Sequence, residues 1–303
     1  MKESRPAVYA LREALLPLQV EPLYGMLAPL RKGDAGVDLA GKRLFLLDLD
    51  GTIYLEDSLL PGAAEFLEDV RSHGGAVRYL TNNSSRGVDA GLEKMRRLGV
   101  AARREEFLTA VEATVHYLHT RRPAGEVYFV VGTESFRRQL RQAGFDIRET
   151  PDDGVAAVLV GFDTELTYGK IEDACRLLCR GADFLATNPD LACPTLYGFM
   201  PDCGSICQML VNAVGREPCY IGKPDPTMIH LALEQTGCAP EEALMVGDRL
   251  YTDIACGINA GVDTALVLTG EATAADAAHS PTPPTAIYQD MAALLSAIRE
   301  ARR

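Results

Sequence analysis

A chain of 303 residues that is 47% hydrophobic and 24% charged has the make-up of a soluble globular protein, long enough for one large domain or two smaller ones, and it excludes a disordered polymer. Its formal net charge of -12 speaks against a nucleic-acid partner, whose binders carry basic surface, so an anionic substrate would need positive charge focused at particular residues. No stretch reaches the roughly 18 uninterrupted apolar residues of a membrane span, Met1-Lys2-Glu3-Ser4-Arg5 lacks the apolar core of a signal peptide, and the eight cysteines form no CxxC pair. The expectation is a reduced, cytoplasmic protein with neither membrane nor nucleic acid among its partners.

The first 40 residues carry two short helical patterns, Val8 to Leu16 and Pro22 to Leu30, ahead of a Gly/Asp-rich link at Gly33 to Gly36. They predict a helical extension packing on the core. Leu44-Phe45-Leu46-Leu47 then sets an unbroken apolar run directly against Asp48-Leu49-Asp50-Gly51-Thr52. Apolar residues at every position predict a strand buried on both faces of a parallel sheet, and the carboxyl ends of such strands are where open α/β sheets bind ligands. Asp48 and Asp50 leave the same face if the chain stays extended. Two like charges so placed need a cation, and carboxylate and carbonyl oxygens suit Mg2+. A strand running into an Asp-Gly hairpin turn is the competing reading, but hairpin strands alternate and this one does not. An EF-hand loop also begins D-x-D, yet its sixth position must be glycine and is Ile53 here.

Further along, Pro61 marks a helix start, Phe66, Leu67 and Val70 supply its stripe, and His73-Gly74-Gly75 ends it. Ala76 to Leu80 predicts a second buried strand. It ends in Thr81-Asn82-Asn83-Ser84-Ser85, whose hydroxyls, amides and backbone N–H groups open the next helix, Arg86 to Leu98. Apolar strands are expected at Val127 to Val131, Val155 to Val160, Phe184 to Ala186, Tyr220 to Ile221, Leu244 to Val246 and Ala265 to Leu268. Helices are expected at Thr109 to Leu118, Glu134 to Ala143, Tyr168 to Cys179, Ser205 to Val214, Thr227 to Thr236 and Asp253 to Ala260. Alternation of this kind means α/β with a parallel sheet. Ala272 to Pro284 reads as a surface loop before a last helix near Met291 to Ile298.

Two more strand ends repeat the pattern of the first: Gly222-Lys223-Pro224 after Tyr220-Ile221, and Gly247-Asp248-Arg249, with Asp253 close behind, after Leu244 to Val246. Lys223 supplies the point positive charge that an acidic chain needs for an anionic ligand. It is not a P-loop lysine, since that pattern requires glycine at Glu217 and a hydroxyl at Pro224. Taken singly, Lys223 would be an exposed loop lysine and Asp248 and Asp253 solvated turn residues. Four strand ends offering Asp48/Asp50, Thr81/Asn82, Lys223 and Asp248/Asp253 in that order form a constellation. Cys175/Cys179 and Cys203/Cys207 could each share a helix face, but without further ligands they read as buried thiols rather than a zinc site. His116 and His119 lack the H-E-x-x-H frame and read as helix-surface or core residues.

The order and wording of these loops, D-L-D-G-T, L-T-N-N-S, G-K-P and G-D-x-x-x-T-D-I, resemble the four motifs of the haloacid dehalogenase superfamily of aspartyl-phosphate hydrolases. The second and third, with the long insert between them, are similar to its NagD-type branch of p-nitrophenyl phosphate, pyridoxal phosphate and phosphoglycolate phosphatases. The resemblance runs from about Gly41 to the C-terminus. It implies a Rossmann-like doubly wound parallel-sheet core (41–124 and 218–303), an inserted α/β cap domain (125–217) and an extension (1–40) outside the family pattern. It further implies Asp48 as nucleophile and Asp50 as acid and then base. Mg2+ would be held by Asp48, the Asp50 carbonyl and Asp248, with Asp253 behind or through water. Thr81, Asn82, Asn83 and Lys223 would bind the phosphoryl group of a small phosphorylated metabolite, with Cys193 in a cap loop facing the substrate, and caps of this type pair as homodimers. Ala192 and Cys193 stand where pyridoxal phosphate phosphatases carry a histidine and an aromatic, which argues against that substrate, and Asp202-Cys203 stands where the branch prefers a glycine. Non-catalytic binding of phosphometabolites, or transfer to an acceptor other than water, are the alternatives on the same fold.

Overall fold

Leu44–Leu47 is the strand around which the first sheet is built, and its side chains are buried on both faces. Phe45 and Leu47 enter one core with Phe66, Leu67, Met95, Leu294 and Ile298. Leu44 and Leu46 enter another with Met228, Ile229 and Ala232. Helices cover both faces, which is why the sequence is apolar without alternation there. The structure, a computed structural model, describes residues 37–195 and 198–303. The helical patterns expected at 8–16 and 22–30 lie outside the described residues.

In chain order the strands are β1 (Leu44–Leu47), β2 (Tyr54–Leu55), β3 (Ser58–Leu59), β4 (Ala76–Thr81), β5 (Phe107–Thr109), β6 (Val127–Val131), β7 (Asp146–Arg148), β8 (Val155–Val160), β9 (Asp183–Ala186), β10 (Ala192–Thr195), β11 (Gly198–Pro201), β12 (Cys219–Tyr220), β13 (Ala243–Gly247), β14 (Asp263–Val267) and β15 (Ala286–Tyr288). One sheet has the order β15-β14-β13-β1-β4-β5 and a second has β12-β9-β8-β6-β7. Both are parallel throughout. Two antiparallel hairpins, β2-β3 and β10-β11, complete the set. The sheets share a core: Leu44, Leu46 and Leu80 of the first pack in one cluster with Tyr128, Val130, Ala157 and Leu185 of the second. The far face of the second sheet is closed by helices Tyr168–Cys179 and Cys203–Val214.

Helices Tyr168–Cys179 and Thr227–Thr236 fall where the periodicity puts them. Elsewhere local pairing decides. Thr109 ends β5 and its side chain accepts from the Glu112 N–H, so the helix expected from Thr109 begins at Ala110. The strand expected at Tyr220–Ile221 is Cys219–Tyr220, and it pairs with β9 of the second sheet rather than with the first. Within the expected loop at 272–284 lies a short helix, Ala274–His279, capped by Thr273, and β15 follows it. The thiols divide: Cys203 and Cys207 are buried, whereas Cys179 is exposed.

Candidate active site

Three of the four loops leave carboxyl ends of first-sheet strands, β1, β4 and β13. The Gly222–Lys223 loop is the exception, because it leaves β12 of the second sheet. It is drawn across to the first sheet by polar bonds. Gly222 still donates to the Thr187 carbonyl at 2.8 Å, beside β9 of the second sheet, and the crossing follows it: Lys223 N–H donates to Asn82 Oδ1 at 2.9 Å, and the ammonium donates to the Leu80 carbonyl of β4 at 3.1 Å. A side chain on Gly222 would meet the Thr187 carbonyl at 2.4 Å, so only glycine permits the crossing.

Lys223 is 2% exposed. Its ammonium donates to Asp48 Oδ1 at 2.5 Å and to Asp253 Oδ1 at 2.7 Å. Burial works against its charge, but Asp253 and Asp48 outweigh it and hold the amine protonated well above an ordinary lysine. Burial, with Asp253 beside it, pushes the Asp48 carboxyl up to about 7 even though Lys223 opposes the shift. Asp248 is buried and raised for the same first reason, burial, with Asp48 and Asp253 adding to it. Its Oδ2 accepts from the Glu271 N–H at 2.7 Å, while Oδ1 has no hydrogen-bond partner.

Oxygens of Asp48, Asp248 and Asp253 lie within 4.8 Å of one another. The backbone is shaped around them: a Cβ at Gly51 (φ +92°) or Gly270 would fall 2.5 Å or 1.9 Å from Asp248 Oδ2. One ammonium among three carboxylates, two of them buried and one of these with an unpaired oxygen, leaves negative charge that a hard divalent cation with oxygen ligands fits. Asp50 stands outside this group. Its side chain is 45% exposed and pairs with Lys94 at 3.4 Å, so any share it takes in holding a cation belongs to its backbone carbonyl.

Asp48, Asp50, Thr81, Asn82, Asn83, Cys193, Lys223 and Asp253 all line one cavity of about 50 Å3, into which the structure brings every sequence-predicted side chain except Asp248. The Asn82 side-chain amide is already spent, donating to Asp190 Oδ2 at 2.7 Å and to the Lys223 carbonyl at 3.0 Å. Its side chain therefore braces the Lys223 loop, and what it offers a ligand is its backbone. Asn83 Oδ1 is likewise occupied, accepting from Ser85 N and Oγ.

Sequence reasoning missed the outer wall. Arg249 lines the cavity and its Nη1 pairs with Asp190 Oδ1 at 3.0 Å, joining the loop after β13 to the loop after β9. Its Nε lies 3.1 Å from Glu271 Oε2. Asp202, noted only as a departure from a glycine, also lines the cavity and caps helix Cys203–Val214 through Oδ1. The Arg249–Asp190 partners are far apart in the chain, and neither position carries a local signal for the other.

The haloacid dehalogenase-like hydrolase family matches residues 45–146, and a HAD-hydrolase-like family matches residues 220–294. The chain is 36% identical over 249 residues to an acid sugar phosphatase of Staphylococcus aureus, covering 82% of this chain and 95% of that one. A solved 4-nitrophenylphosphatase of Thermotoga maritima superposes with a TM-score of 0.81 at 38% identity, covering 86% and 99% of the two chains. A glycerol phosphate phosphatase of Mycobacterium tuberculosis in complex with magnesium superposes with a TM-score of 0.80 at 30% identity, covering 85% of this chain and 78% of that one.

Proposed function

Because the chain belongs to the haloacid dehalogenase-like hydrolases, in their NagD-type branch, we infer that its site hydrolyses phosphate monoesters of small metabolites with Asp48 as the nucleophile. The observation that carries this reading is a buried Lys223 clasped between Asp48 and Asp253 with Asp248 alongside. Phosphate monoesters are among the slowest bonds to hydrolyse, with accelerations up to ~10²¹ known, so neutralising the phosphoryl charge is the main task. Lys223 and backbone N–H groups after β4 bind the phosphoryl oxygens in an otherwise acidic chain.

The Asp48 carboxylate attacks phosphorus and the bond to the leaving oxygen breaks, giving a phospho-aspartate. Asp50, exposed enough to exchange protons, hands one to the leaving oxygen. It then takes one from the water that attacks phosphorus and releases inorganic phosphate, regenerating Asp48. Asp48, Asp248, Asp253 and the Asp50 carbonyl are the groups that would hold a divalent metal, which we assign as Mg2+, and bound there it supplies positive charge to the phosphoryl oxygens.

The second sheet with its hairpin, about Gly125 to Tyr220, acts in this reading as a cap whose Asp190, Cys193 and Asp202 face the leaving group. It also offers a pairing surface for a second copy: Tyr168 and Met209, on its two covering helices, are 80% and 48% exposed. Purified protein is expected to release inorganic phosphate from p-nitrophenyl phosphate with Mg2+ and to stop when EDTA is added. Phosphate release in plain buffer separates hydrolysis from binding alone and from transfer to another acceptor. No release with Mg2+, Mn2+ or Co2+ would overturn the reading.

A further inference from the structure

Asp202 is the carboxylate of the cavity wall that has no basic partner among the described residues. Asp48 and Asp253 hold Lys223, Asp50 faces Lys94, and Asp190 is taken by Arg249, Asn82 and Asn188. Asp202 Oδ1 accepts from Cys203 N–H at 2.5 Å and from Asn188 Nδ2 at 3.3 Å, whereas Oδ2 bonds to no described residue. The residue is 7% exposed and lines the cavity, which leaves that oxygen as the acceptor it has to offer a ligand there. The Arg249 guanidinium acts on it only from a distance, its Nη1 and Nε being paired with Asp190 and Glu271.

Its place relative to the chemistry is set by the cavity itself, which Asp202, Cys193 and Asp50 line together. Asp50 is the group that protonates the leaving oxygen in the phosphatase reading, so a leaving group there shares the cavity with Asp202. Burial first, then the charges of Asp202 and Asp50, push the Cys193 thiol up to about 12, in keeping with that shared surface. An ionised carboxylate with an unused oxygen accepts hydrogen bonds and repels anions.

Resting on the phosphatase reading, we propose that Asp202 selects the leaving group: Oδ2 receives hydroxyl hydrogens of a neutral polyol, and its charge rejects monoesters whose leaving group bears a carboxylate. A group that hydrogen-bonds a substrate hydroxyl discriminates strongly against analogues that leave it unpaired. The site would therefore act after kinases or transferases that phosphorylate polyhydroxylated carbon skeletons.

The test compares kcat/KM of the full chain for glycerol 3-phosphate and 2-phosphoglycolate at pH 8 with Mg2+, in wild type, Asp202→Asn and Asp202→Gly. Asparagine and glycine both serve as helix caps, so the helix start survives either change. Wild type is expected to favour glycerol 3-phosphate by at least about tenfold, and both variants to shift that ratio about tenfold toward phosphoglycolate, mainly through KM. A wild-type ratio near one, or a ratio that moves less than about twofold in a folded variant, overturns the assignment. p-Nitrophenyl phosphate, assayed alongside, tells the two failures apart: a wild type that turns it over but does not discriminate refutes Asp202 alone, and one inactive on all three esters refutes the phosphatase reading as well.

Discussion

Asp48 and Asp50 are two residues apart, and the different work proposed for them follows from their different surroundings. Asp48 is gripped by a buried lysine and stands beside two further carboxylates, whereas Asp50 reaches solvent with only Lys94 beside it. Asp48→Asn is expected to cut phosphate release by at least about a thousandfold. Asp50→Asn should slow hydrolysis of the phospho-aspartate whatever the ester, but in kcat/KM, which reports formation of that intermediate, it should cost about 10²–10⁴ for an alkyl phosphate and much less for p-nitrophenyl phosphate, whose phenolate leaves without a proton. Equal losses on the two esters would remove Asp50 from the proton transfer. Asp202 gives a pH signature. Burial, then Asp190, pushes its carboxyl up to about 7, so between about pH 4, where an unfolded aspartate ionises, and pH 7 the folded protein keeps a proton that the unfolded chain has lost. Stability is therefore lost as pH rises through that window, and Asp202→Asn removes the loss. Urea melts at a series of pH values should show the variant gaining on wild type from pH 4 to 7, and a constant gap would contradict it. At this scale Asp48, Asp50 and Lys223 were legible because each interrupts an apolar strand end, and Arg249 was not, because its meaning lies in Asp190 across the cavity.

The elements that carry these residues are held by contacts that periodicity does not encode. Asp253 sits in a single π-helical turn, Leu250–Ile254, which precedes the helix Ala255–Asn259. That turn brings the Asp253 carboxylate back against Arg249 N–H at 3.1 Å, a bend that a regular helix starting at Asp253 would not make. The short strands β5, β7 and β15 escaped the sequence because they are three residues long and edge or near-edge members of their sheets. The hairpin β10-β11 escaped because Pro194, Gly198 and Pro201 in its four-residue strands read as a loop. One inter-element tie was also invisible: Asp69, on helix Ala63–Ser72, is buried and receives Arg299 at 2.7 Å and Arg302 at 2.9 Å from the last helix. Burial pushes its carboxyl up, but the Arg299 hydrogen bond and the surrounding cations outweigh that and hold it below the usual range. The stabilisation is present above about pH 3.9, the unfolded value, and is lost as pH falls through the lower folded value. Asp69→Ala should cost about 1.5–3 kcal/mol at pH 7 by chemical denaturation, with the gap closing in strong acid. A gap independent of pH would mean packing, not the ion pairs, was lost.

In the whole molecule, two parallel sheets share one apolar cluster and present their ligand-binding loops to the same small cavity. The α/β alternation and the strand-end motifs made this architecture readable. The crossing of the Lys223 loop from one sheet to the other was not, because a two-residue strand carries too little sequence to announce its partner. Asn82 ties the strand end after β4 both to the Lys223 loop and to Asp190 of the second sheet, so the phosphoryl site is assembled only when the two sheets are docked. The central claim, that Asp48 becomes phosphorylated in turnover, has a direct measurement. Asp50→Asn, expected to slow hydrolysis of the intermediate, is mixed with p-nitrophenyl phosphate and Mg2+, quenched in acid, digested and weighed. The peptide holding Asp48 is predicted to gain the mass of one phosphoryl group, and to lose that gain with EDTA or when Asp48→Asn is added. A phosphoryl group found on another peptide, or the same gain without Asp48, would contradict the account.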